Sequence, residues 1–239
     1  MDIEHAGLPR GGAGAGNASS RHRTGILIAV EGVDGAGKRS ATAVVAAVLH
    51  ARGYSVALVR EPGSTEVGDQ IRTLLVSPVA RTPVTELLLF AAARAQVVET
   101  VIRPALARGD AVVCDRFVDS TYAYQVHGLG IPETDADVVT NLATRGLLPD
   151  LTILLDVDPL VAQGRQQKRG AQDAIEQRGV DFAMRVRGGY QARLRTDPSR
   201  FLLIDASQSE QAVLNAIETG VGDWLRAVAP HLQEQSCCI

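Results

Sequence analysis

Gly32-Val-Asp-Gly-Ala-Gly-Lys38 has the spacing G-x-x-x-x-G-K. Its glycines let the backbone come close to a ligand, and its lysine brings a mobile cation to the same place. Successive N–H groups of such a loop converge into an anion cradle. The free N–H groups at the start of the following helix add to that field. The chemistry implied is phosphate binding by Gly32, Val33, Asp34, Gly35, Ala36, Gly37 and Lys38, with Lys38 on the terminal phosphates. A plain glycine turn with an exposed lysine is the alternative, and a strand before plus a helix after argue against it. The next position breaks the motif. Arg39 stands where a Ser or Thr hydroxyl would bind Mg²⁺, and a guanidinium cannot ligate a metal. Ser40 follows roughly 100° further round the helix. Either Ser40 or water replaces the missing ligand, or carboxylates hold most of the metal. Arg60-Glu61, Asp115-Arg116 and Asp156 end apolar runs. Phe90 with Arg94, and Thr121 with Gln125, are pairs four residues apart that share a helix face.

These groups need a scaffold, and the hydrophobic pattern provides one. Apolar runs rich in β-branched residues predict strands at 26–30, 55–60, 111–114, 151–155 and 201–204. Helices are expected between them: 41–51, closed by Gly53, then 66–76, 120–126 capped by Asp119 or Ser120, 135–145, 159–167, 181–195 and 208–228. A loop is expected between Pro78 and Pro83. A long helical segment from Val84 to Arg108 contains Pro104, which should kink or break it. Strands alternating with helices imply an α/β fold of three layers around a five-stranded parallel sheet. In such sheets ligands bind beyond the carboxyl ends of the strands, where the glycine loop, Arg60-Glu61, Asp115-Arg116 and Asp156 all fall.

The bulk numbers exclude several other classes. A net charge of −3 gives no basic surface for nucleic acid. No apolar run approaches the ~18 residues of a membrane span, and no apolar secretory core opens the chain. Cys114 lies in a strand, while Cys237 and Cys238 are adjacent near the end, so no disulfide framework is expected and a cytoplasmic location fits. Ser236 occupies the position where a lipidation box needs its cysteine. The Gly-, Ala- and Ser-rich residues 1–24 read as a disordered leader and 229–239 as a flexible tail, leaving one domain over 25–228.

Five stretches give the chain a resemblance to the bacterial thymidylate kinase family, the P-loop kinases of thymidine monophosphate. They are EGVDGAGK (31–38), REPGSTEVGDQIR (60–72), LLLFAAARAQ (87–96), DRFVDSTYAYQ (115–125) and RGAQDAIEQRGVDF (169–182). The resemblance implies transfer of the ATP γ-phosphoryl group to dTMP, with Mg²⁺ as cofactor. It also implies a homodimer formed through the long helix after Pro83. It maps Lys38 and the loop through Arg39 and Ser40 to ATP. Asp115 maps to the metal, directly or through water, with Ser40 the second candidate. Phe90 maps to stacking on thymine and Arg94 to its edge, where a guanidinium donates to a carbonyl. Thr121 and Gln125 map to the base, and Tyr124 to the sugar. Arg72 and Arg116 map to the acceptor phosphate, where a planar fork suits the oxygens. Asp34 and Glu61 map to the acceptor sugar or the metal–water network. Taken singly, Phe90 reads as core packing and Arg72 or Arg94 as a solvated helix face.

The polar stretch 167–179 is similar to the family's mobile lid, which closes over ATP and excludes water. Family members without a basic residue inside the glycine loop carry a catalytic arginine in the lid, and this loop has none. Asp173-Ala174-Ile175-Glu176 lacks the arginine of the family's D-R-I-E stretch. That leaves Arg165 and Arg169, beside Lys168, as candidates, with Arg39 close to the donor phosphates as partial compensation. Two other readings stay in view. One is a kinase of the same fold acting on another nucleotide. The other is a nucleotide-binding protein with weak catalysis.

Overall fold

In the computed structural model the described residues are 25–169 and 174–234, so the leader and 235–239 lie outside them. The chain opens with β1 (Ile26–Glu31), the glycine loop and α1 (Lys38–His50). Then come β2 (Val56–Arg60), α2 (Glu66–Val76) and α3 (Pro83–Val97), a π-helical turn (Val98–Ile102) and α4 (Arg103–Ala107). β3 (Ala111–Asp115) leads into α5 (Val118–Thr121), a second π-helical stretch (Tyr122–Gly128) and α6 (Glu133–Thr144). β4 (Leu151–Asp156), α7 (Pro159–Arg169), a 3₁₀ turn (Glu176–Arg178) and α8 (Val180–Thr196) follow. A last 3₁₀ turn (Pro198–Arg200), β5 (Phe201–Asp205) and α9 (Glu210–Glu234) complete the described chain.

The five strands form one sheet in the order β2-β3-β1-β4-β5. Every neighbouring pair is parallel. β1 lies in the middle and all six of its residues are buried. Its side chains alternate between two cores. Ile26, Ile28 and Val30 pack with Ala41, Val45 and Leu49 of α1 and with Val186 and Tyr190 of α8. Leu27 and Ala29 pack on the other face with Val97, Ile102, Leu106 and Phe117. A strand buried on both faces reads as a near-continuous apolar run, which is why ILIAV, ahead of the buried Glu31, is legible as a central strand. The register pairs Arg60 and Val30 with Asp115, and Asp156 with Asp205, so the strand ends form one rim.

Several element boundaries differ from the sequence expectation. The segment predicted over 84–108 starts one residue earlier, with Pro83 in its first turn and the Thr82 hydroxyl accepting from Thr85 N–H at 3.2 Å. Its irregularity is the π turn just before Pro104, where the ladder widens to accommodate the proline. The helix expected from Ser120 begins at Val118 and has no local side-chain cap. Glu31 of β1 accepts the N–H groups of Phe117 and Ser120 instead, at 2.7 and 3.2 Å. Asp119 is buried and held by Arg200 at 2.7 Å and Arg193 at 3.2 Å. α7 runs two residues past the predicted Gln167, and α9 starts at Glu210 and extends to Glu234.

Candidate active site

The glycine loop folds as its spacing implies. Gly32, Gly35 and Gly37 have φ of +145°, +88° and +99°, values that disfavour any side chain. A Cβ at Gly35 would lie 2.4 Å from the carbonyl oxygen of Ala162. α1 starts at Lys38 with no side chain capping it. Lys38 folds back over the loop, its Nζ donating to the carbonyls of Gly32 (3.1 Å) and Val33 (3.0 Å), 3.8 Å from Asp34 Oδ1. Burial and the charge of Arg116 push its pKa below that of an ordinary lysine, against the pull of Asp34. Asp34 to Ser40 line a cleft of about 890 Å³. Gly32 and Val33 do not line it. Gly32 makes the turn beneath, its carbonyl held by Lys38 and Arg116, and Val33 packs into the core.

On the other side of Asp34 lies a narrower pocket. It is lined by Asp34, Glu61, Arg72, Phe90, Arg94, Arg116, Thr121, Tyr124 and Gln125, every residue that the resemblance maps to the acceptor. Four of these also line the first cleft: Asp34, Glu61, Arg72 and Arg116. The two spaces therefore meet at two carboxylates and two guanidiniums.

Arg116 is the hub of that junction. It follows β3 with φ +71°, and its N–H donates to Val30 O at 3.0 Å. Its guanidinium reaches Gly32 O (3.2 Å), Ser120 Oγ (3.2 Å), Tyr190 Oη (3.0 Å), Tyr124 Oη (2.8 Å) and Asp34 Oδ1 (2.5 Å). Tyr124 donates its hydroxyl to Asp34 Oδ2 at 2.8 Å. Burial would push the Asp34 carboxyl up, but Arg116 and Lys38 outweigh it and hold the group well below the usual range. Arg94 is buried, donating to Glu61 Oε2 (2.7 Å), Thr121 Oγ1 (2.6 Å) and Phe117 O (2.9 Å). It thus sits on the pocket wall as part of a packed network, unlike the solvated arginine that its helix position alone suggested.

Sequence reasoning missed several groups. Glu31, fully buried at the end of β1, accepts from Ser120 Oγ (2.6 Å) and Tyr190 Oη (2.8 Å) in addition to the two N–H groups above. Burial first, then the negative charge of Asp119, push its carboxyl up to about 7. Glu86 is a buried acid in the apolar helix α3, bound by Arg81, Gln125 and Arg178. A single acid in a mostly apolar helix was the only signal for it. Asp156, at the end of its apolar run, forms a bidentate pair with Arg187 at 2.6 and 2.9 Å.

The remaining expected residues divide. Arg165 lines the larger cleft and donates to Ala206 O at 2.9 Å. The side chains of Lys168 and Arg169 lie outside the described residues. Arg39 is exposed at the cleft, and Ser40 donates its hydroxyl to Glu210 Oε1 at 2.9 Å, which engages the candidate metal ligand elsewhere. Among the described residues no three His, Cys, Asp or Glu side chains form a metal cage. Asp115 lines the cleft, and Glu61, whose N–H donates to Asp115 O at 3.0 Å, leaves its buried Oε1 without a hydrogen-bond partner. Burial pushes the Glu61 carboxyl up despite Arg94. An oxygen set this small suits a hard cation that keeps waters and takes its other ligands from substrate phosphates.

Comparison with known proteins identifies the relatives of this arrangement. The family model described as Thymidylate kinase matches residues 30–217. A thymidylate kinase of Exiguobacterium sp. is 45% identical over 199 residues, covering 81% of this chain and 92% of the relative. One from Deinococcus radiodurans is 40% identical over 200 residues, covering 83% and 97%. The crystal structure of thymidylate kinase from Ehrlichia chaffeensis superposes with a TM-score of 0.69 at 30% identity, covering 84% of this chain and 98% of that one.

Proposed function

The chain belongs to the thymidylate kinase family, and from that premise we propose that it transfers the γ-phosphoryl group of ATP to dTMP, giving ADP and dTDP. The observation that carries this reading is the shared wall. The phosphate-loop cleft and the acceptor pocket have Asp34, Glu61, Arg72 and Arg116 in common. A donor on one side and an acceptor on the other would meet phosphate to phosphate, so positioning and charge neutralisation supply the catalysis.

Lys38 and the N–H groups of the loop hold the donor phosphates, and Arg39 adds charge at the rim. Arg72 and Arg116 hold the acceptor phosphate. An oxygen of that phosphate attacks the γ-phosphorus, the bond to the bridging oxygen breaks, and ADP leaves. Phe90 stacks on thymine. Arg94, Thr121 and Gln125 hydrogen-bond its edge. Tyr124 lies against the sugar, its hydroxyl held by Asp34. Asp115, directly or through water and with Glu61 beside it, would hold Mg²⁺, which would supply charge neutralisation to the donor phosphates. Residues 167–179 act as the lid, and Arg165 or Arg169 brings the arginine that bridges the phosphates.

A homodimer fits the surface. α3 packs beside α6, and Val84 and Leu88 of α3 with Val138 and Leu142 of α6 are each more than half exposed. No helix among the described residues is long and apolar enough to cross a membrane, which is compatible with the cytoplasmic location we propose.

The test is a panel of acceptors with ATP and Mg²⁺: dTMP, the other common monophosphates, and thymidine. The expected result is preferential turnover of dTMP. Faster phosphorylation of another acceptor would assign a different substrate. Binding of ATP and dTMP without dTDP formation would favour a nucleotide-binding protein.

A further inference from the structure

Glu86 joins three elements that surround the acceptor pocket. It lies one helical turn before Phe90 and is almost fully buried. Arg81, from the loop before α3, donates Nε to its Oε2 at 3.3 Å. Gln125, on the pocket wall, donates Nε2 to Oε1 at 3.2 Å. Arg178, from the 3₁₀ turn near the end of the lid segment, takes both oxygens. Its Nη1 lies 3.0 Å from Oε1, and its Nη2 contacts Oε2. The Arg178 guanidinium also lies over the Phe182 ring, 5.0 Å from its centre.

Two consequences follow from this geometry. A carboxylate only accepts, so Glu86 fixes which end of the Gln125 amide it meets. The nitrogen end of the amide is turned to Glu86, where one of its two N–H donors is used, so the carbonyl at the opposite end is the acceptor that Gln125 can present to a base. A carbonyl accepts from the N3–H of thymine and has nothing to offer the bare N3 of cytosine. Arg178 at the same time ties down the C-terminal part of the lid segment. Ala174 N–H donates to Val76 O at the end of α2 (3.3 Å), Arg178 grips α3, and Ile175 between them lines the acceptor pocket.

We propose that Arg178 is a positioning residue for acceptor recognition. Through Glu86 it sets the Gln125 amide, and by the same contact it holds the 174–178 segment over the pocket, so that cover and base reading are coupled. This rests on the dTMP-kinase reading and deepens it.

The test measures nucleotide binding, which separates it from turnover. In Arg178→Ala the Glu86 carboxylate keeps Arg81, so the pocket retains its charge compensation. The dissociation constant for dTMP should rise about tenfold, the scale of one buried charge-assisted hydrogen bond, while that for ATP stays within about twofold. Arg178→Lys should recover most of the loss, and preference for dTMP over dCMP should fall in Arg178→Ala. In a Glu86→Gln background, Arg178→Ala should have little further effect on dTMP binding. Unchanged dTMP affinity in Arg178→Ala would overturn the proposal, as would an effect of equal size in both backgrounds. A wild-type protein that binds dTMP without phosphorylating it would overturn the function proposed above and leave this coupling to be judged on the binding data.

Discussion

Replacing Glu31 with glutamine is expected to stabilise the protein at neutral and alkaline pH and to change little in acid. Burial, and then Asp119, lift the folded Glu31 carboxyl from an ordinary 4.5 to about 7. Below about pH 4.5 it is protonated in both the folded and the unfolded chain, so it contributes no difference. Between 4.5 and 7 the folded state holds a proton that the unfolded state has released, and stability falls as pH rises. The whole shift corresponds to about 3 kcal/mol. Glutamine keeps an oxygen for the N–H groups of Phe117 and Ser120 and turns an amide to Ser120 Oγ and Tyr190 Oη, which can both accept. Asp34 titrates in the opposite sense, its stabilisation being lost as pH falls, but it is common to both proteins and cancels in the difference. Urea unfolding at pH 4.5, 6 and 8, with a constant slope, gives the comparison. The advantage of the Glu31→Gln protein should grow from near zero to about 3 kcal/mol across that range. A difference that is independent of pH, or that shrinks as pH rises, would refute the reasoning.

Three further outcomes are expected. Arg94→Ala should weaken dTMP binding and also lower stability by about 3 kcal/mol, because Glu61 is left buried without its partner; equilibrium unfolding and dTMP titration together check this. Gly35→Ala should reduce ATP affinity at least about tenfold, since its Cβ would meet the Ala162 carbonyl and its φ is +88°; ATP titration reads the loss, and an unchanged constant would show that the loop adapts. Arg169→Ala should lower kcat while leaving the dTMP KM in place, and steady-state kinetics beside Arg165→Ala would transfer the bridging role to Arg165 if only that variant loses turnover.

What could be read from the chain depended on how local each interaction is. The glycine loop and the strand ends were legible because spacing and β-branched runs lie within a few residues. The proposed acceptor residues came only through family resemblance, since Phe90 in an apolar helix otherwise means core. The groups that were missed pair over long distances. Glu31 meets Ser120 and Tyr190 across 89 and 159 positions, and Glu86 meets Arg178 across 92. The cap expected from Asp119 or Ser120 failed for the same reason, because the acceptor for that helix start comes from β1. No periodicity carries such partnerships; they exist only once the sheet brings the elements together.

The central claim is direct transfer between two nucleotides across the wall formed by Asp34, Glu61, Arg72 and Arg116. ATP made chiral with oxygen isotopes at the γ-phosphorus tests it directly when turned over with dTMP and Mg²⁺. The account predicts dTDP whose transferred phosphorus is inverted. Retention of configuration, which requires a phosphorylated protein intermediate, or release of the label as free phosphate, would contradict it.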